Sequence, residues 1–257
     1  MPYGILNHKH SLETEMNQCR SYLLSQVREL EQKPPQSFRP GPAITLSYQT
    51  GAGEHEIATR IAEILQAAEP VMSTPWTVFD RRLIEQVLKE HHFPESMAKF
   101  LPEDRRTIVE EEIGDLLGLH PPSWVIVPQI AETILHLANA GHVILVGRGA
   151  AFITAHLSNV FHVRLVAPLS DRLERVKIAE NITARAAARY IAKKDRGSRR
   201  YASYFHGNVN DDSFYHLVIN TGRFSCLAAA QLIAEQAGKF FQSNIRERSI
   251  SPMAVNG

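Results

Sequence analysis

Three stretches hold residue types that could handle a phosphate. The first is Ser47-Tyr48-Gln49-Thr50-Gly51-Ala52-Gly53-Glu54-His55, between a short apolar run and a helical pattern. A strand, a glycine-containing loop and a helix together present unpaired backbone N–H groups and a positive dipole end to an anion. Glycine lets the backbone come close to that anion. The spacing departs from the phosphate-loop consensus G-x-x-x-x-G-K-[ST]. Tyr48 stands at the first Gly, Glu54 at the Lys and His55 at the Ser or Thr. An ordinary tight turn between a strand and a helix is the competing reading. A dinucleotide fingerprint fits worse, because Glu56 stands where its third Gly belongs.

The second stretch is Gly147-Arg148-Gly149, straight after the run Val143–Val146. In an open α/β sheet, ligands bind beyond the carboxyl ends of the strands. An arginine flanked by glycines there can grip a phosphate with two parallel hydrogen bonds. A surface arginine in a turn is the alternative. The third is Lys193-Lys194-Asp195-Arg196-Gly197-Ser198-Arg199-Arg200, five cations and one acid with a local charge of +4. Clustered arginines suit the charge of a transferring phosphoryl group. A solvated helix face and a nucleic-acid patch are the other readings.

The elements that must position these groups have an α/β rhythm. Residues 43–47, 143–146, 161–166 and 216–219 read as strands. Helical patterns cover 56–66, 128–139, 170–179, 184–192 and 227–241. Strands alternating with helices predict a parallel sheet covered on both faces. Residues 81–122 offer helices but no strand, which makes them a helical insertion. Their acidic run, Glu103–Asp115, reads as a solvated helix face.

Upstream, Leu12, Met16, Cys19, Leu23, Val27 and Leu30 form a narrow apolar stripe over residues 11–31. That helix either docks on its own domain or pairs with a second copy. A linker with four prolines follows, so residues 1–42 stand apart from a domain at 43–242. The polar tail, 243–257, is expected to be disordered.

The 257 residues are 44% hydrophobic and 21% charged, which excludes a wholly disordered chain and a collagen-like repeat. Lys plus Arg is 28 against 27 for Asp plus Glu, a net charge of +1. A dedicated double-helix binder carries a clearer basic excess, so nucleic acid is disfavoured as a partner. No apolar run reaches membrane-spanning length. Glu13, Glu15, Glu29 and Glu31 argue against a leader peptide. Cys19 and Cys226 are too far apart for a metal or redox motif, and a cytoplasmic protein with reduced cysteines is expected.

Taken together, these pieces resemble the cytidylate kinase-like family of P-loop nucleoside monophosphate kinases. The matching stretches are Ile57-Ala58, Phe79-Asp80-Arg81-Arg82-Leu83-Ile84, Val146-Gly147-Arg148-Gly149-Ala150, Phe161-His162-Val163-Arg164-Leu165-Val166-Ala167-Pro168 and Tyr215-His216-Leu217-Val218-Ile219-Asn220-Thr221. They keep the family's order over roughly residues 43–240. The resemblance implies a P-loop NTPase fold: a parallel sheet of about five strands with helices on both faces, a helical nucleotide-binding insertion at 81–122 and a lid at 183–210.

The resemblance also implies roles. ATP would lie against Thr50, Gly51, Ala52, Gly53, Glu54 and His55, with Arg172 and Arg175 on the helix leading to the lid. The acceptor nucleotide, CMP or dCMP, would meet Asp80, Arg81, Arg148 and Asp195. Arg148, Arg196, Arg199 and Arg200 would act on the transferring group. Mg²⁺ would come with ATP, resting on phosphates and water, since His55 is a poor stand-in for a metal-holding hydroxyl. Classical cytidylate kinases carry Lys where Glu54 stands. A carboxylate about 4 Å from a phosphate charge is repelled by roughly 4 kcal/mol at an effective dielectric of about 20. The alternative function is therefore a catalytically impaired nucleotide-binding or regulatory protein of the same fold.

Overall fold

The computed structural model describes residues 40–68, 74–80, 123–147, 149–205 and 207–250. The helix expected at 11–31 and the insertion at 81–122 lie outside them. Among the described residues, five strands form one parallel sheet: β1 (Ala43–Tyr48), β2 (Thr77–Phe79), β3 (Val143–Val146), β4 (Val160–Val166) and β5 (Leu217–Asn220), in the order β2-β3-β1-β4-β5. Register is in step across the centre, with Ile44 beside Ile144 on one side and Phe161 on the other.

Four of these strands are expected from their β-branched, apolar runs. β2 is not: three residues are too few to show a period. It exists because Thr77, Val78 and Phe79 find a partner in β3.

The period of two sorts side chains between two cores. Ile44, Leu46, Ile144, Val146, Val163 and Leu165 face α1 (Glu54–Ala68) and α6 (Cys226–Ile250). Ala43, Val143, Leu145 and Val160 face α2 (Ser123–Ala140) and α3 (Ala150–Ile153). Helices on both faces explain why the strands read as continuous apolar runs. α4 (Leu169–Glu180) and α5 (Ala184–Tyr204) pair through Val176, Ala187 and Ile191.

Two helices run further than expected. α5 does not stop at Ala192 but passes through the basic run, with Gly197 buried inside it. Tyr201 and Ala202, also buried, hold its far half in place. α6 continues to Ile250, into a tail expected to be disordered. The Asn244 side-chain amide donates to the Ser158 carbonyl at 2.7 Å, an anchor that polar composition alone does not reveal.

Midway along β1 and β4, Thr45 Oγ1 and His162 Nδ1 share a buried 2.8 Å hydrogen bond. The His162 N–H donates to His216 Nδ1 at 2.9 Å, and the two rings stack. Burial, helped by His216, pulls His162 down to about 4 from 6.5. The folded state thus favours neutral imidazole, and the unfolded chain binds the proton first as pH falls. Stability should be full above pH 6.5 and decline toward pH 4, by about 3 kcal/mol in all and about 2 kcal/mol of it by pH 5. Urea denaturation at pH 7.5 and pH 5 checks this. His162→Gln should flatten the decline, and a wild-type stability unchanged between those pH values would contradict it.

Candidate functional site

The loop leaving β1 turns on a bond from the Ala52 N–H to the Gln49 carbonyl, 2.9 Å. Gly51 and Gly53 both have positive φ, +85° and +87°. A Cβ on Gly51 would also meet the Arg172 carbonyl at 2.8 Å. Only glycine satisfies both demands there. The Gly53 carbonyl accepts from the Ile57 N–H at 3.1 Å and starts α1.

Three successive loop carbonyls are tied back. Arg172 Nη1 donates to Thr50 O (3.4 Å), Arg175 Nη1 to Gly51 O (3.3 Å) and Thr221 Oγ1 to Ala52 O (2.8 Å). Arg175 also grips Thr221 through its hydroxyl and carbonyl, at 3.0 and 2.7 Å. With its carbonyls held by α4 and β5, the loop leaves the first-turn N–H groups of α1 unpaired along the helix. That arrangement suits an anion. Arg172 and Arg175 therefore stand behind the loop as braces.

Asp195 comes from α5. Its Oδ1 accepts from the Thr50 N–H at 2.9 Å, and its Oδ2 pairs with Arg172 Nη1 at 2.7 Å. α5 is thereby latched to the glycine loop. Glu54 is partly buried at the start of α1. Burial raises its carboxyl pKa, and the Asp195 carboxylate adds to the rise. Hydrogen bonds from the N–H groups of Glu54 and Gly53 pull the other way. The Asp195 carboxylate thus takes up one amide of the loop, and the Glu54 carboxylate lies near it. His55 and Glu56 are exposed on α1.

A cavity of about 140 Å³ opens at the carboxyl ends of β1, β3 and β4, under α5. β1 leads to β2 on one side and β4 to β5 on the other, so this is the switch point where ligands bind in such sheets. Tyr48 lies here with its ring against Gly147, 3.1 Å from where a Cβ on that residue would be, and it does not enter the glycine loop. Gly149, which starts α3, also borders the cavity. Arg148, between them, and Arg81 lie outside the described residues. Asp80 is partly buried just past β2.

Helical geometry divides the basic run. Lys194, Ser198 and Ala202 repeat every four residues on the cavity side, and Arg199 stands four after Asp195. Arg196 and Arg200 are exposed and off the cavity wall. Residue types and spacing missed Thr221, which braces the loop, and Asn210 and Arg164, which line the cavity. Arg164 did carry a signal: a lone cation inside an apolar strand. Among the described residues, no three His, Cys, Asp or Glu side chains gather as a metal site. No helix among them is long and apolar enough to cross a membrane.

Residues 43–223 match the model of the cytidylate kinase-like family. The chain is 31% identical to a cytidylate kinase from Methanopyrus kandleri over 160 residues, covering 58% of this chain and 80% of that protein. A cytidylate kinase from Pyrococcus horikoshii is 31% identical over 116 residues, 45% of this chain and 58% of the relative. A uronate isomerase from Corynebacterium glutamicum is 30% identical over 119 residues, 46% of this chain and only 23% of that much longer protein. The chain thus spans less than two thirds of these last two relatives. An uncharacterized protein from Eubacterium ventriosum superposes with a TM-score of 0.55 at 17% identity, covering 79% of this chain and 99% of that one, a likeness of fold alone. The β2-β3-β1-β4-β5 sheet with its glycine loop after β1 is an α/β P-loop kinase fold, and the chain belongs to the cytidylate kinase-like family.

Proposed function

We propose that the protein transfers the γ-phosphoryl group of ATP to a nucleoside monophosphate, with CMP or dCMP as acceptor, in the cytoplasm. The observation that carries this is the loop between β1 and α1, whose carbonyls are tied back so that the first-turn N–H groups and dipole of α1 are left for an anion. ATP would rest on that loop. The acceptor would occupy the cavity beneath α5, where its phosphate oxygen attacks the γ-phosphorus in line. Positioning and charge stabilisation then supply most of the catalysis. The described side chains offer no ready-made metal site, since Asp195 is held by Arg172 and His55 brings no oxygen donor. Mg²⁺ accordingly enters as part of the Mg·ATP co-substrate. A homodimer built on the 11–31 helix remains part of the proposal.

Purified protein with Mg·ATP and a panel of nucleoside monophosphates tests this, and diphosphate product is expected. A second reading, a protein that binds nucleotide without turning it over, is favoured by Asp195 on the Thr50 amide with the Glu54 carboxylate near it. Measurable nucleotide binding with no diphosphate would select it.

Arg148→Ala is expected to weaken acceptor binding by roughly 1.5–3 kcal/mol, the value of a lost charge-assisted hydrogen bond. Its two flanking glycines provide no side chain for it to pack against, so the melting temperature should hardly move. Acceptor titration of the variant decides this, and unchanged affinity would remove Arg148 from the site.

A further inference from the structure

We infer that Arg164 is the anion-binding residue at the floor of the α5 cavity, and that it receives a phosphate or carboxylate group of the small molecule that enters there. The identification of that molecule as a nucleoside monophosphate, and of the group as its phosphate, rests on the function proposed above. The anion site itself does not.

Arg164 sits near the carboxyl end of β4, in register with Ser47 of β1 and Val218 of β5. The strand alternation turns it, with Ser47, toward the cavity under α5. It is only 4% exposed. Its Nη2 donates to Asn210 Oδ1 at 3.2 Å, and its guanidinium carbon lies 5.6 Å from the centre of the Tyr215 ring. Both partners are neutral. Among the described residues no carboxylate pairs with it.

Arg172 supplies the comparison within the same molecule. It is nearly as buried, 8% exposed, and it holds the Asp195 carboxylate at 2.7 Å. Buried charges are ordinarily paired, because burial strips away water that the interior must replace. A guanidinium has five N–H donors in a planar fork that matches carboxylate and phosphate oxygens. Arg164 uses one of them on Asn210, and its head borders a cavity of about 140 Å³, enough for such a group. Arg199 and Lys194 at the rim add positive charge along the way in. An incoming anion therefore completes an ion pair that the fold leaves half built. Asn210 and the Tyr215 ring keep the fork oriented before it arrives.

Inorganic phosphate and malonate serve as probes for the two sources of negative charge, with CMP and cytidine as the nucleoside pair. Phosphate, malonate or both should raise the melting temperature of the wild-type protein, and CMP should bind more tightly than cytidine. Arg164→Met keeps an apolar stem against Tyr215 and removes the charge. It should weaken binding of the effective anion by at least about tenfold, abolish the CMP-over-cytidine preference and melt no lower than wild type without ligand. Arg164→Lys should retain part of the response, and it carries the test if the Met variant does not fold.

The inference falls if the charge-free variant responds to both anions as wild type does, or if wild type responds to neither. The two proposals fail separately. CMP turnover with the same KM in wild type and Arg164→Met would discard the anion site and leave the kinase reading. An anion response lost in Arg164→Met, with no monophosphate turned over by wild type, would do the reverse.

Discussion

Asp195→Ala is expected to destabilise the folded protein by about 3–5 kcal/mol, the cost typical of removing one partner from a buried ion pair. The pair it breaks is well enclosed: the Asp195 and Arg172 side chains are 18% and 10% exposed. Arg172 Nε is already buried without a partner, so its guanidinium has little left to lose. The Thr50 N–H would be orphaned at the same stroke. Because Arg172 also braces the Thr50 carbonyl, the damage should reach the glycine loop and not stay on α5. Asp195→Asn keeps the shape and one acceptor oxygen but removes the charge, so it should cost clearly less. Urea denaturation of the three proteins at neutral pH measures both effects. A change below about 1 kcal/mol for the alanine variant would mean that the latch between α5 and the loop adds little to the folded state.

The second large effect is on ligand binding. Glu54→Lys should tighten ATP binding by about ten- to a hundredfold, as expected when a competing carboxylate is exchanged for a charge-assisted contact. The Glu54 carboxyl is partly buried beside the Gly53 and Glu54 N–H groups, where its charge opposes an incoming phosphate. Its removal takes a repelling charge away from the loop, and the lysine adds an attracting charge at the position where P-loop kinases carry one. The carbonyl braces from Arg172, Arg175 and Thr221 do not involve Glu54 and should persist. Affinity should gain more than turnover, because Asp195 still occupies the Thr50 amide. ATP titrated against both proteins at fixed salt gives the answer. Equal or weaker binding by the lysine variant would show that residue 54 does not compete with phosphate, and the assignment of this loop to ATP would go with it.

Much of this molecule is legible along the chain because its causes are local. The runs 43–47, 143–146 and 161–166 are rich in apolar and β-branched residues, as strands covered on both faces are, and they recur as β1, β3 and β4. Gly51 and Gly53 mark a loop whose backbone needs positive φ. The three-and-four spacing of Ile57, Ala58, Ile61 and Leu65 marks the buried face of α1. Other features depend on residues far apart in sequence. Thr50 and Asp195 are 145 positions apart, Ala52 and Thr221 169. No periodicity relates such residues, and they meet only because the sheet places β4 beside β1 and β5 beside β4. That is why Arg172 and Arg175, expected to touch ATP, stand as braces behind the loop. It is also why the arginines of α5 divide, Arg199 at the cavity and Arg196 and Arg200 away from it: the turn of α5, fixed by Tyr201 and Ala202 in the core, sets which side each one faces. Residue types along the chain determined where charge and glycine were available. The tertiary structure decided which charges are neutralised within the protein and which, as at Arg164, are left for a ligand, because pairing depends on distance in space and burial sets what an unpaired charge costs.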